Sequence, residues 1–178
     1  LRNVSAMEIT TNQYKIPLWN SNKVGGFVPT IEPQSNEAFI SEHPFKTIKS
    51  GQIAKIPYML GISANDGAMV TPKFFRDSKS TKEFSESFDS TVSVALQFDH
   101  YNVNCYINQI KMFYFNNSNI TYNDKDRMQT TKMYTDRMFI LPLNKVIQLH
   151  LEYTQQPVYS YVFDYRGTRS YSEAYGDP

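Results

Sequence analysis

Two segments of the sequence have the character of β-strands, and about ninety helix-rich residues separate them. The first, in "AKIPYMLGIS", is an almost continuous apolar run over 56–62, typical of a strand buried on both faces of a parallel sheet. The second, 158–165, places aromatic side chains at every second position from Tyr159 to Tyr165. A strand, a helical crossover and another strand predict an α/β sheet. Because a stable sheet buried on both faces needs three or more strands, further strands must come from outside these 178 residues.

The residues between the two strands predict four helices, at 79–89, 91–98, 103–115 and about 123–153. Pro142 should kink or break the last of them, because proline removes a backbone donor inside a helix. Met128, Met133 and Met138 in this helix are expected to pack in the core. Before the first strand, a helix capped by Ser5 and a short helix ending near Gly51 are predicted.

Charge and cysteine content exclude several classes of function. The 18 basic and 17 acidic residues give a net charge of +1 without a basic stripe, so no nucleic-acid surface is expected. The apolar runs are far shorter than the ~20 residues that span a bilayer, and we predict no membrane span. Cys105 is the single cysteine, which excludes an internal disulfide and a cysteine-based zinc site. We expect a buried thiol at this position and neither a metal nor a cofactor in the chain.

The ends of the sequence and its glycosylation motifs carry two further expectations. "LRNVSAMEIT" lacks a signal-peptide pattern and "YSEAYGDP" closes on turn-type residues, so we expect a fragment or a processed piece of a longer protein. The triplets beginning at Asn3, Asn116 and Asn119 fit the N-x-[ST] pattern and are candidate glycosylation sites. The last two lie in the polar stretch "NNSNITYND", which predicts an exposed loop.

The stretch "GISANDG" at 61–67 follows the first strand directly and holds the candidate functional residues. It misses the G-x-S-x-G nucleophile pattern because Asn65 replaces the last glycine and no apolar helix follows at once, so we reject Ser63 as a nucleophile. Asp66 is the better candidate, since functional crevices of open α/β sheets lie beyond the carboxyl ends of strands and a carboxylate there can orient a histidine. Gly67 would let the loop turn sharply.

On the residues alone, a structural interpretation of the same stretch is favoured over a catalytic one. Asn-Asp-Gly is a favoured turn sequence, and Asp-Gly commonly joins two antiparallel strands in a hairpin. Here the turn would lie between "YMLGIS" and "AMVT".

The chain resembles the C-terminal part of a type-B carboxylesterase, and within that family it looks most like the insect detoxifying esterases. The resemblance rests on the order and spacing of "FVPTIEP" (27–33), "GQIAKIPYMLGISANDG" (51–67), "TDRMFILP" (135–142) and "VYSYVFDYRG" (158–167). It implies an α/β-hydrolase fold, with 1–178 as the C-terminal part of one domain, and a small-molecule ester as substrate. It also implies a Ser–acid–His triad and passage through the secretory route.

The resemblance assigns Asp66 to the acid position of the motif G-x-x-x-x-E-G, where the usual residue is glutamate. It places the nucleophilic serine before Leu1 and the histidine of a G-x-x-H motif after Pro178. None of the histidines present, His43, His100 and His150, has glycine three residues before it. The resemblance also lets the aromatic-rich "KMFYF" (111–115) line a substrate pocket, although ordinary core packing is the simpler interpretation.

Three hypotheses follow for the function. In the first, the complete protein is a carboxylesterase to which this chain contributes only the acid. In the second, a neuroligin-like protein of the same fold binds partners without catalysis, and aspartate at the acid position reflects lost activity. In the third, the chain is an unrelated α/β domain in which "ANDG" is a turn, and 56–62 and 158–165 are not strands of one sheet.

Overall fold

The computed structural model describes residues 3–12, 29–96, 103–165 and 167–168, with the side chain of residue 94 left aside. The chain divides into two compact units, residues 1–54 and residues 55–178. His100, Arg166 and the segment 13–28 lie outside the described residues, and so does the first part of the stretch 14–44, over which the sequence predicts a loop.

Within its described residues, the first unit contains two short helices whose starts follow from local capping chemistry. Helix α1 (Ala6–Asn12) begins after Ser5, whose Oγ accepts a hydrogen bond from the Glu8 N–H at 3.1 Å, so the predicted cap is confirmed. Helix α2 (Pro44–Lys49) begins at a proline, and the Nδ1 atom of His43 accepts from the Phe45 N–H at 3.2 Å. Gly51, at φ 70°, follows its end in the left-handed conformation that favours glycine.

The second unit is built on two parallel strands, β1 (Tyr58–Ser63) and β2 (Val158–Phe163). Their register pairs Tyr58 with Val158 and Ser63 with Phe163, which confirms the predicted strand pair and its helical crossover. The parallel pairing excludes the hairpin interpretation of Asp-Gly, since the strand after β1 along the sheet is β2 and not the "AMVT" segment. It equally removes the hypothesis that the two segments belong to different sheets.

Neither strand is buried, contrary to the expectation for β1. Among the described residues the sheet has only two strands, and large side chains on both of its faces remain open to solvent, with Tyr159 57% exposed on one face and Val162 62% exposed on the other. The apolar sequence of β1 therefore predicts a degree of burial that two strands cannot provide by themselves.

Helices fill the crossover much as the sequence predicts. They are α3 (Ser78–Glu86), α4 (Phe88–Ala95), α5 (Val103–Phe115), α6 (Asp124–Thr135) and α7 (Leu141–Thr154). Asp77 and Asn123 cap α3 and α6 by accepting from the N–H groups three residues on. The chain turns as a π-helix over Asp136–Ile140, directly before Pro142, so the predicted interruption takes the form of altered hydrogen bonding and not of a broken helix.

An aromatic core lies among α3, α4, α5 and α6. The Phe74 and Phe84 rings stack with centroids 4.0 Å apart, and the Phe88 and Phe115 rings meet edge to face with centroids 5.7 Å apart. Tyr134 is completely buried in this cluster, with its ring centroid 6.0 Å from that of Phe74. The core anchors the segment that follows β1, because Val70, Phe74 and Phe75 all contribute to it.

Two packing expectations are wrong. Cys105 is exposed, and Gln109 Nε2 lies 3.4 Å from its sulfur, because this side of α5 faces away from the core. Met128 is 67% exposed, whereas Met133, five residues further along the same helix, is buried as expected. Methionine alone did not distinguish the two faces of a helix in which most residues are polar.

Candidate active-site loop

The candidate acid lies on a tight loop at the carboxyl end of β1. The ladder of the sheet extends one residue past the strand, where the Ala64 N–H donates to the Phe163 carbonyl at 2.9 Å. A 3₁₀ turn then runs over Asp66–Met69 and a second over Thr71–Lys73. Because β1 and β2 are parallel, the residues that follow β2 leave the sheet at the same edge as Asp66.

The Asp66 carboxylate folds back over the end of its own strand. Oδ2 accepts a hydrogen bond from the Ser63 N–H at 2.9 Å, and the side chain is half-buried. The other oxygen, Oδ1, has no hydrogen-bond partner within the described part of the chain. One oxygen thus fixes the side chain against the backbone, and the other retains the capacity to accept a hydrogen bond from outside.

Gly67 serves close packing, so the expected sharp turn is not its role. Its φ lies outside the left-handed region, and its N–H donates to Thr135 Oγ1 at 2.9 Å. A Cβ at this position would collide with the carbonyl oxygen of Thr131 and lie 2.7 Å from the backbone nitrogen of Thr135. Glycine is needed because the loop touches the backbone of α6 directly.

Gly61, the first glycine of the same motif, is also needed for a close approach. It pairs with Tyr161 across the sheet, and a Cβ there would lie 2.5 Å from the Tyr161 carbonyl and 2.6 Å from its ring. The Tyr161 ring therefore packs over β1 at Gly61, which has no side chain to occupy that space. The two glycines of "GISANDG" have separate packing functions, one in the sheet and one against α6.

The second 3₁₀ turn ends on a lysine in an unusual setting. Lys73 is half-buried, with Nζ 4.5 Å from the centroid of the Phe74 ring. Burial disfavours the charged form and lowers the pKa of Lys73 to about 8.

His150 does not approach the Asp66 carboxylate. His150 is buried on α7, with Nε2 3.1 Å from the Ile56 carbonyl oxygen and its ring 5.4 Å from that of Tyr58. It therefore lies at the amino end of β1, opposite the end that carries Asp66. His150 is therefore a packed helix residue.

The remaining predicted site residues lie on the surface. Asn3, Asn116 and Asn119 are all exposed, and the loop after α5 carries the last two. Within "KMFYF", Met112 and Phe113 are exposed while Phe115 packs in the core.

Within the residues described, no group of three histidine, cysteine or acidic side chains is arranged to hold a metal ion, and no helix has the length and apolarity to cross a membrane.

A parallel strand pair with a helical crossover and a carboxylate just past the strand end defines an α/β protein with a candidate site at the carboxyl ends of its strands. The model of the Carboxylesterase family matches residues 1–177, and the chain belongs to this family. Membership implies the α/β-hydrolase fold, of which the helix-rich chain with its small parallel sheet is consistent with a part.

Curated relatives share this similarity at low identity. Venom carboxylesterase-6 of Apis mellifera is 25% identical over 162 residues, which are 87% of this chain and 28% of the relative. Carboxylic ester hydrolase of Bombus ignitus is 25% identical over 83% of this chain and 27% of its own length. Juvenile hormone esterase of Tribolium castaneum is 21% identical over 98% and 31%, respectively. The chain thus spans about three tenths of the length of these relatives.

Sequence reasoning missed the threonines that bind Gly67. Thr71, Thr131 and Thr135 are buried and hydrogen-bonded to the loop or to each other. Threonine pairs four residues apart on a helix are common, so their spacing carried no specific signal. The one usable hint was a run of threonines in a helix that nevertheless contributes to the core.

Proposed function

We propose that this chain supplies the acid member, Asp66, of a Ser–Asp–His triad in a carboxylic ester hydrolase that acts on a small-molecule ester. In such a triad, serine attacks the ester carbonyl, histidine moves the proton, and the acid fixes the tautomer of histidine and stabilises the imidazolium. The serine and histidine would lie outside residues 1–178, so the chain alone should not hydrolyse esters.

The position of the Asp66 carboxylate is the observation that carries this proposal. Oδ1 lacks a hydrogen-bond partner among the described residues, while Oδ2 is held by the Ser63 N–H at 2.9 Å. An imidazole N–H is a suitable donor for Oδ1. The residues after β2 leave the sheet beside this loop, since Phe163 pairs with Ser63. A histidine following β2 along the chain would therefore start from the same edge of the sheet.

Family membership and the named relatives support the ester-hydrolase part of the proposal. The buried core that anchors the loop supports the positioning part, because an acid that orients histidine has to be held still.

Aspartate in place of the usual glutamate favours one alternative, a non-catalytic family member that binds a partner. The shorter side chain reaches its own strand end at Ser63 and extends one methylene less toward any histidine. The alternative predicts that the complete protein lacks the serine, the histidine or both.

Sequencing of the source transcript on both sides of this segment separates the two. An upstream G-x-S-x-G and a downstream G-x-x-H support the esterase, and loss of either supports the binding protein. The complete polypeptide, expressed and assayed on an aryl acetate, should show turnover, whereas residues 1–178 alone should not. Turnover by the isolated chain would refute the assignment of serine and histidine to other segments.

We further propose the secretory route, with Asn3, Asn116 and Asn119 as glycan acceptors. All three asparagines are exposed, and one relative is named a venom carboxylesterase. At Asn119 the next residue, Ile120, is buried and its N–H donates to Ser85 Oγ at 3.0 Å, so the loop is anchored while the asparagine faces solvent. Expression in insect cells followed by glycosidase treatment and peptide mass spectrometry tests each site, with Asn→Gln variants as controls; absence of glycan at all three refutes the proposal.

A further inference from the structure

We propose that Thr71, Thr131 and Thr135 form a hydroxyl clamp that positions Asp66 for catalysis through its neighbour Gly67. The inference rests on the proposed function, because positioning has meaning only if Asp66 orients a histidine. None of the three threonines reaches the carboxylate, so each would act as a positioning residue and not as a catalytic one.

The clamp is a closed set of hydrogen bonds that begins and ends on Gly67. The Gly67 N–H donates to Thr135 Oγ1 at 2.9 Å, and that hydroxyl donates to the Thr131 carbonyl at 2.8 Å. On the other side, Thr131 Oγ1 donates to Thr71 Oγ1 at 2.9 Å, which donates to the Gly67 carbonyl at 3.0 Å. Each hydroxyl donates once, and both polar backbone groups of Gly67 are bonded.

Burial makes these bonds decisive for the position of the loop. Thr71 and Thr135 are 1% and 2% exposed, and Gly67 itself is buried. If the Thr135 hydroxyl is lost, the buried Gly67 N–H has no other partner among the described residues, and the loop has to move to satisfy it. If the Thr71 hydroxyl is lost, the Gly67 carbonyl still accepts from the Val70 N–H at 2.9 Å, so that arm contributes less. Gly67 is bonded covalently to Asp66, and a movement of this peptide displaces the carboxylate.

The absent Cβ of Gly67 is an independent indication that this contact is specific. The space a Cβ would occupy is taken by the Thr131 carbonyl and the Thr135 nitrogen. The loop therefore contacts α6 directly at Gly67, the residue to which the hydroxyls of Thr71 and Thr135 are hydrogen-bonded. A displacement of about 1 Å at such a support is known to cost on the order of 10²-fold in rate.

A merely structural role is the competing explanation, and Thr130 supplies the matched control. It lies on the same helix, is 0% exposed, and its Oγ1 donates to the carbonyl four residues earlier, Asp126, at 2.8 Å. Thr135 makes the same bond to Thr131. Thr130 differs in having no hydrogen bond to Gly67 among the described residues, so Thr130→Val removes an equivalent buried hydroxyl without touching the loop.

The test uses the complete polypeptide with Thr135→Val, Thr135→Ser, Thr130→Val and Asp66→Asn, assayed for kcat, KM and the pH profile of kcat/KM. We expect Thr135→Val to lower kcat by about 10- to 100-fold with KM unchanged. Its acid limb should move to lower pH, because a displaced carboxylate stabilises the imidazolium less. Thr135→Ser, which keeps the hydroxyl, should restore both, and Thr130→Val should resemble the wild type.

A second variant and a second measurement guard against loss of folding. Thr71→Val breaks the other arm of the clamp and should give the same kinetic pattern to a smaller extent, because the Gly67 carbonyl still accepts from the Val70 N–H. Hydrogen exchange of the peptide containing Gly67 should accelerate in either clamp variant and remain unchanged in Thr130→Val.

The possible outcomes separate this inference from the proposed function. If Asp66→Asn abolishes turnover but both clamp variants match Thr130→Val in kcat and pH profile, the clamp is wrong and the triad assignment stands. If Asp66→Asn leaves turnover intact, the triad assignment fails, and positioning of Asp66 for catalysis fails with it.

Discussion

Two buried or half-buried tyrosines should respond in opposite directions to the same chemical change. Tyr114 on α5 donates to Asp136 Oδ2 at 2.6 Å and so ties α5 to the π-helical segment. The hydroxyl of Tyr134 on α6 is fully buried and has no hydrogen-bond partner among the described residues. Replacement of either by phenylalanine removes one oxygen and leaves the ring in place.

The magnitudes follow from these environments. A hydrogen bond to a charged group contributes about 1.5–3 kcal/mol when buried, but Tyr114 and Asp136 are half-buried and water can reach the carboxylate. We therefore expect Tyr114→Phe to lower the free energy of unfolding by about 1 kcal/mol, or Tm by about 2–4 °C at this chain length. Tyr134→Phe removes an unsatisfied hydroxyl and should raise stability by up to about 1 kcal/mol.

Alkaline pH provides a second signature. Burial raises the pKa of Tyr134, and burial followed by the hydrogen bond to Asp136 raises that of Tyr114. The unfolded chain loses these protons near pH 10 while the folded chain keeps them, so their contribution to stability is complete below about pH 10 and declines above it. Each Phe variant should lose less stability than the wild type between about pH 9 and 11.

Urea denaturation followed by far-UV circular dichroism, at neutral pH and at the alkaline end, measures both effects. Equal shifts of the same sign for the two variants would refute the reasoning, because it assigns a partner to one hydroxyl and none to the other.

Further predictions concern the loop, its lysine and the open sheet. Gly67→Ala should lower the free energy of unfolding by at least about 1–3 kcal/mol, because its Cβ meets the backbone of α6. Gly51→Ala, where nothing lies within 4 Å, should lower it only by the ~1–2 kcal/mol that a left-handed backbone costs a residue with a side chain. Equal losses of unfolding free energy in urea titrations would contradict this. Lys73 should react with a pulse of acetic anhydride with a midpoint near its pKa of about 8; a midpoint above 10 by peptide mass spectrometry would show that burial does not perturb it. Residues 1–178 expressed alone should bind the dye ANS through the exposed faces of β1 and β2, and absence of binding would mean that those faces are covered.

The strand pair was predictable because its signal is local and strong. Alternating aromatic residues and a continuous apolar run identify β2 and β1, and a long helical crossover between them dictates parallel pairing. The helix start at Ser5 and the helix end near Gly51 were predictable for the same reason, because capping chemistry is local.

What the sequence did not predict depends on contacts between distant segments. Gly67 reads as a turn residue, yet its purpose is set by α6, more than sixty residues away along the chain. The exposure of Cys105 and Met128 depends on which helix face meets the core, and composition does not specify that. The threonine clamp combines both difficulties, since its members are ordinary helix and loop residues until the fold brings them to Gly67.

The placement of Asp66 needed both kinds of information. Its position just after a strand gave the hypothesis, and the family resemblance gave it the role of the acid. The fold added the local geometry, in which Ser63 holds one carboxylate oxygen and β2 ends beside β1 at the same end of the sheet.

The most direct test of the account is the kcat of Asp66→Asn in the complete polypeptide, measured on an aryl ester beside Asp66→Glu. Asparagine preserves the size of the side chain but does not fix the histidine tautomer, so kcat should fall by about 10⁴-fold. Glutamate restores the usual residue of the motif and should retain clear turnover. A kcat for Asp66→Asn equal to that of the wild type would contradict the assignment of Asp66 as the triad acid.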